Sequence, residues 1–239
     1  MWHIEQTRLL GRIAVPDSLP LRTAVFCTTV DFEGRLNADR VRDITETVRE
    51  RFGIDAQLTT CNQVHSANVT RANAQKNWRE SDACDALWSD ELEVALGIKV
   101  ADCLPVAMVD PAHSVIADVH SGWRGAVQGI TAATIDAIAR DTAFDAQSAS
   151  AYLGPSIRAC CFEVGDEVAT QFDERYVDRT RAKAHVDLAS YTIDVLRGRG
   201  FDERRIFDSG LCTRCDRSIF HSYRRAGAGG GRNLTIVAQ

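Results

Sequence analysis

The stretch VALGIKVADCLPVAMVDPAHSVIADVHSGWRG, residues 94–125, decides how this chain folds. Residues 94–100 and 104–109 are apolar runs, and Asp102 and Cys103 interrupt them. A short apolar run bounded by turn residues reads as a buried strand. Residues 114–119 form a third, β-branched run that carries His120 to a Ser-Gly break. Residues 126–140 are rich in Ala and Ile at helical spacing, so a helix is expected after that break. The polar residues of this stretch therefore sit where strands end.

Upstream, residues 23–29 read as a strand, and residues 37–52 as an amphipathic helix with Val41, Ile44, Val48 and Phe52 on one face. Gly53 stands just past its end, where a left-handed residue commonly stops a helix. Residues 57–60 and 64–70 are expected as short strands flanking His65. Residues 73–91 are polar, hold Asp82, Asp85 and two tryptophans, and read as a surface excursion. Downstream, residues 164–172 and 187–196 read as helices, the second stopped by Gly198 and Gly200; residues 234–238 are a last strand. Helices and strands alternate without a regular βαβ period, linker or repeat. The expected fold class is α+β (mixed α/β), a single domain over residues 1–239 with mixed sheets flanked by helices.

A chain of 239 residues can bury its apolar surface in one core. Its net charge of −5, with only short basic pairs such as Arg204 and Arg205, argues against a nucleic-acid partner. No run approaches the roughly 20 apolar residues needed to span a bilayer, so no membrane partner is expected. The first residues lack a basic start followed by a long apolar stretch, and no secretion signal is read there. Eight cysteines in such a chain fit a reducing compartment, and a cytoplasmic location is expected.

Three motifs carry the chemistry: QVHSANV (63–69), VADCLPV (100–106) and DVHSGWRG (118–125). They place His65, Cys103 and His120 on separate segments. Two imidazoles and a thiolate form a catalytic zinc set whose fourth position stays open for water or substrate. The separations are too long for a zinc finger, so a site assembled by a large fold is expected. A lone histidine after a strand is more often a core residue, and a lone buried cysteine a small hydrophobe; their joint placement at strand ends favours a site. Asp102, beside Cys103, is an unusual residue for simple packing.

The Cys212 and Cys215 pair competes for a metal, but no second CxxC or HxxxH partner follows, and it reads as half a site. Cys160 and Cys161 are adjacent and read as reduced. The run FHSYRRAGAGGGR (220–232) gathers Arg224, Arg225 and Arg232 around glycines. Guanidinium forks there can grip phosphate or carboxylate, against the plainer reading of a solvated loop. Glu163 faces substrate or caps the helix expected near residue 164. Trp123 reads as core packing, and Arg124 anchors the turn or a ligand.

At these residues the chain resembles the YfiH-like, laccase-domain proteins, once called multicopper polyphenol oxidases. QVHS, ADCLPV, HSGWRG, GPSIRACCFEVG, the Cys212-Thr213 pair and SYRRAGAGGGR follow the family's pattern in order over about two-thirds of the chain. The resemblance implies a YfiH-like fold, zinc on His65, Cys103 and His120, and a purine nucleoside site. The implied activities are phosphorolysis of adenosine, inosine and methylthioadenosine, and deamination of adenosine. Asp102, or Glu163, would move the proton, and Arg224 or Arg232 would hold phosphate. Near the amino terminus, CTTVDFEGRLN (27–37) lacks the family's TR-x-GG loop, Asn37 stands for its SLN asparagine, and Ile44 and Thr45 occupy its NR position. Two other readings remain beside this one. The first is a cytoplasmic hydrolase that edits a peptidoglycan precursor at an amide. The second is a copper-dependent polyphenol oxidase, which six histidines in all serve poorly. A small-molecule partner and a monomer or homodimer are expected.

Overall fold

In the computed structural model, which describes residues 1–239 apart from Gly34, residues 75–77 and Asp82, the two apolar runs beside Cys103 belong to different sheets. The chain starts with β1 (Trp2–Thr7), β2 (Gly11–Pro16) and β3 (Ala24–Thr28), followed by helix α1 (Ala38–Phe52). Seven strands come next: β4 (Gln57–Cys61), β5 (Val69–Arg71), β6 (Arg79–Ser81), β7 (Ala86–Ser89), β8 (Val94–Val100), β9 (Leu104–Asp110) and β10 (Val115–Ser121). Helices α2 (Trp123–Val127) and α3 (Ile130–Asp141) lead to β11 (Ser150–Leu153), β12 (Glu163–Val164), α4 (Asp166–Ala169), β13 (Val177–Asp178) and β14 (Ala184–Val186). Helix α5 (Leu188–Gly198), β15 (Ile206–Asp208), α6 (Tyr223–Ala226) and β16 (Asn233–Ala238) complete the chain.

Among the described residues the strands form a seven-stranded sheet (β1-β2-β3-β16-β8-β4-β6), a six-stranded sheet (β15-β11-β9-β10-β7-β5) and a small sheet (β12-β14-β13). Both large sheets mix parallel and antiparallel pairs, as the α+β expectation required. They face each other across one apolar layer, in which Leu96, Ile98 and Val237 meet Val109, Ile116 and Tyr152. Alternation along each strand sends the intervening side chains the other way. Leu104, Val106 and Met108 of β9 therefore pack under α3 and α5, while Phe26, Leu58 and Ile236 pack under Ile44 and Val48 of α1. No described helix is long and apolar enough to cross a membrane.

This topology brings the site together. β4 and β8 run parallel as neighbours, so their carboxyl ends lie side by side. From those ends the chain crosses to the six-stranded sheet twice, through the residues before β5 and through the short link between β8 and β9. His65 lies in the first crossing and Cys103 in the second. β10 pairs antiparallel with β9, with His120 opposite Pro105 and Ser121 opposite Leu104. The end of β10 therefore meets the start of β9 beside Cys103.

Helix α1 matches its expected span, with Asn37 accepting from the Arg40 N–H as its cap and Gly53 left-handed at φ 71°. The helix expected over residues 126–140 is instead two helices, because Gly129 turns left-handed at φ 82° between them. The expected strand over residues 64–70 is reduced to β5, since residues 64–66 form a loop around a buried carboxylate. The helix expected over residues 164–172 begins later, as α4 after Gly165. The surface excursion expected over residues 73–91 holds for Asn73, Ala74, Glu80 and Ala83, which are exposed, and is overturned after them: β7 is wholly buried beside β10, Trp88 is 2% exposed and Asp85 is fully buried. Asp82 lies outside the described residues.

Leu96, fully buried between the sheets, tests this layer. Leu96→Ala is expected to lower stability by about 2–5 kcal/mol, read as a lower urea midpoint with an unchanged slope.

Candidate metal centre and its cavity

The ligand atoms of His65, Cys103 and His120 lie within 4.8 Å of one another, close enough to share one metal ion. The two imidazoles sit edge to face, with ring centroids 4.9 Å apart. Each crossing is bent to make this possible. His65 is left-handed at φ 59° and Asp102, just before Cys103, at φ 86°. Non-glycine residues in that region carry strain of order 1–3 kcal/mol each and persist only where surrounding contacts hold them.

Asp85 holds the first bend. Its carboxylate accepts the backbone N–H groups of Val64 (3.2 Å), His65 (2.9 Å) and Ser66 (2.7 Å) and the Ser66 hydroxyl (2.8 Å). The same carboxylate accepts Nδ1–H of His120 at 2.8 Å. Burial works against the Asp85 charge, but these donors outweigh it and hold the carboxyl below the usual range. With Nδ1–H held by Asp85, Nε2 is the His120 atom left to bind a metal, which would displace the proton there. Gln63 steadies the same loop by exchanging two hydrogen bonds with the Lys99 backbone, at 2.7 and 2.9 Å.

Asp102 is the corresponding anchor at the second bend. It accepts from Thr213 Oγ1 (2.6 Å), Ser222 Oγ (3.1 Å) and the Arg224 N–H (2.6 Å). Burial would raise the Cys103 thiol, yet its hydrogen bonds with His120 and His65 bring it down to about 6. Burial would lower His120, but Asp85 and the thiolate lift it to about 9. The donor set is thus an ionised sulfur and two imidazoles, one oriented by a carboxylate, which suits a zinc-type ion. Gly122 leaves the room required: a Cβ there would lie 2.9 Å from the Cys103 sulfur.

The triad forms one wall of a cavity of about 820 Å³. Trp123, Phe162 and Tyr223 supply aromatic faces, and Arg124, Arg224, Arg232 and Glu163 supply charge. Arg158 pairs with Asp208 and Arg199 with Asp136. By contrast, no described carboxylate lies within ion-pair distance of Arg124, Arg224 or Arg232. Arg124 lies 4.4 Å over Trp123 and Arg224 lies 5.9 Å from the Phe162 ring. Glu163 caps no helix; it pairs with Lys183 at 2.8 Å. Asn37, expected at the substrate, does not line this cavity, and its side chain is engaged as the α1 cap.

The structure thus brings His65, Asp102, Cys103, His120, Arg124, Glu163, Arg224 and Arg232 to one cavity. Sequence reading missed Asp85, Gln63, Thr213 and Ser222. Asp85 had one local signal: it stands directly before the short apolar run Ala-Leu-Trp, at the start of a strand. The expectation that Cys212 and Cys215 form half a site is corrected, because Cys160 and Cys161 lie against them.

The family model described as multi-copper polyphenol oxidoreductase laccase matches residues 31–239. Among characterised relatives, adenosine deaminase RL5 from an unknown prokaryotic organism is 34% identical over 217 residues, covering 84% of this chain and 82% of its own. Purine nucleoside phosphorylase YlmD of Bacillus subtilis (strain 168) is 28% identical over 216 residues, covering 84% of this chain and 77% of its own. The crystal structure of Bacillus licheniformis hypothetical protein YfiH superposes with a TM-score of 0.84 over 98% of both chains, at 22% identity, a likeness of fold.

Two measurements test the centre. Asp85→Asn is expected to weaken affinity for added Zn²⁺ about 10- to 100-fold, measured by chelator competition on the folded variant. In metal-stripped protein the Cys103 thiolate is the reactive form, present above its pKa of about 6. Alkylation of Cys103, followed by peptide mass spectrometry, should rise with a midpoint near pH 6, well below the roughly 8.5 of an ordinary thiol.

Proposed function

Because this chain belongs to the multi-copper polyphenol oxidoreductase laccase family, we propose that it acts on purine nucleosides, cleaving them by phosphorolysis and deaminating adenosine. One observation carries the reading: a single cavity is lined by the His65, Cys103 and His120 triad, by aromatic faces, and by three guanidiniums with no described carboxylate within ion-pair distance. The names of the relatives support both activities. Zinc is the metal we assign to the triad. A copper cluster of the multicopper kind needs several imidazoles, and this cavity offers two. When bound, the ion supplies Lewis acidity to a water or substrate atom beside it.

The chain's own residues do the rest. In phosphorolysis a phosphate oxygen attacks the anomeric carbon, the glycosidic C–N bond breaks, and its electron pair leaves with the purine, which takes up a proton. Arg224 and Arg232 hold the phosphate by charge-assisted hydrogen bonds, with no internal carboxylate to displace. Phe162, Trp123 and Tyr223 offer flat apolar surface to the purine. Asp102 positions Arg224 through its backbone N–H and keeps Ser222 and Thr213 beside the ligand set. Glu163 lines the same cavity as an ionised group, because the Lys183 ammonium at 2.8 Å holds it below its usual range, and the proton taken up by the purine comes from solvent.

Chromatography of metal-quantified protein with adenosine tests the proposal. Adenine should appear only with phosphate, and inosine without it; Cys103→Ala should yield neither. Arg224→Ala and Arg232→Ala should each raise the KM for phosphate roughly 10- to 100-fold, matching a lost charge-assisted bond, while deamination without phosphate continues. Absence of both products from metal-loaded protein would overturn the assignment.

A further inference from the structure

Four cysteines outside the triad converge at one point. The sulfurs of Cys160, Cys161, Cys212 and Cys215 all lie within 4.8 Å of one another. Cys215 Sγ is 3.8 Å from Cys160 Sγ and 3.4 Å from Cys161 Sγ. All four are free thiols, and a disulfide would need about 2.05 Å. Tetrahedral thiolates around a zinc ion, each about 2.3 Å from it, stand about 3.8 Å apart. The 3.8 and 3.4 Å separations are close to that spacing, and with all four sulfurs within 4.8 Å one ion can reach each of them.

Contacts independent of the sulfurs hold the two segments together. Ser156 bridges to Cys212 in parallel pairing: the Ser156 N–H donates to Leu211 O and the Thr213 N–H to Ser156 O. A tight turn, in which the Cys161 and Phe162 N–H groups both donate to Arg158 O, places the adjacent Cys160 and Cys161. A second turn, with the Asp216 N–H donating to Cys212 O, folds Cys215 back toward Cys212. The electrostatics are also suited. Four thiolates around a divalent ion carry a net charge of 2−. The small cavity beside them is lined by Arg214, Arg217, Arg224 and Arg225, and Arg214 Nη1 lies 3.5 Å from Cys161 Sγ.

We propose that Cys160, Cys161, Cys212 and Cys215 bind a second zinc ion, in a closed four-sulfur site that is structural rather than catalytic. Four protein ligands leave no open position for substrate. The site ties together two walls of the catalytic cavity. Phe162 and Glu163 directly follow Cys161, and Thr213 directly follows Cys212 and holds Asp102 beside Cys103. The proposal stands independently of the nucleoside reading.

Metal analysis for zinc and iron, with thiol titration of the denatured protein, tests it on protein purified without added metal. Wild type is expected to carry two zinc equivalents, and Cys103→Ser one. Cys160→Ser with Cys215→Ser, both at exposed positions, should carry the other. Cobalt-loaded Cys103→Ser should show strong sulfur-to-metal charge-transfer absorption, a reading that does not require the paired variant to fold. One equivalent in wild type that survives Cys103→Ser would support this site and count against a metal at the triad. Metal-free Cys103→Ser, with the four cysteines titrating as free thiols or recovered as disulfides, would overturn the proposal. So would iron in place of zinc.

Discussion

One buried carboxylate, Asp85, sets the geometry on which the catalytic end of this protein depends. It lies fully inside the molecule and takes five donors: three successive backbone N–H groups, a serine hydroxyl and an imidazole. Burying an unpaired carboxylate costs several kcal/mol, whereas each hydrogen bond to a charged group returns about 1.5–3 kcal/mol. With five of them the balance favours the ionised, buried form and leaves enough to hold His65 in its strained left-handed conformation. The same group fixes the tautomer of His120. One side chain from β7's leading edge thereby orients two of the three ligands.

The sheets explain why a second anchor is required. Both ligand-bearing crossings leave adjacent parallel strands and enter the other sheet, so each must turn sharply within a few residues. Backbone that turns so abruptly leaves the strand ladder, and its N–H groups need local partners. At the first crossing Asp85 accepts them. At the second, Asp102 is itself the left-handed residue, and its carboxylate reaches out to the carboxy-terminal segment instead. The ligands are thus set by two acids, one clamping its crossing from outside and one reaching out from within.

The parts legible in the sequence were those that leave local marks. Short apolar runs bounded by turn residues mark the strands beside Cys103, helical spacing closed by Gly53 marks α1, and ligand-type residues at strand ends mark the triad. What escaped reading depends on partners distant in the chain. Asp85 looked like one polar residue in a polar stretch because its donors sit some twenty residues earlier and on β10. Cys212 and Cys215 looked like half a site because the other half is a vicinal pair some fifty residues away, with no ligand spacing of its own. Asn37 was read through likeness to a family asparagine, whereas its immediate task is the cap of α1, which the following helical pattern already announced.

The charge distribution sets this cavity apart from the chain as a whole. The chain is net negative, yet three of its guanidiniums line one cavity with no described carboxylate within ion-pair distance of them. The segment that supplies Arg224 and Arg232 also supplies Ser222, and Thr213 lies just ahead of it; the hydroxyls of both reach Asp102 beside Cys103. Two of the cavity's arginines and the hydroxyls that hold Asp102 are therefore carried by one stretch of chain, and a displacement of either is felt by the other.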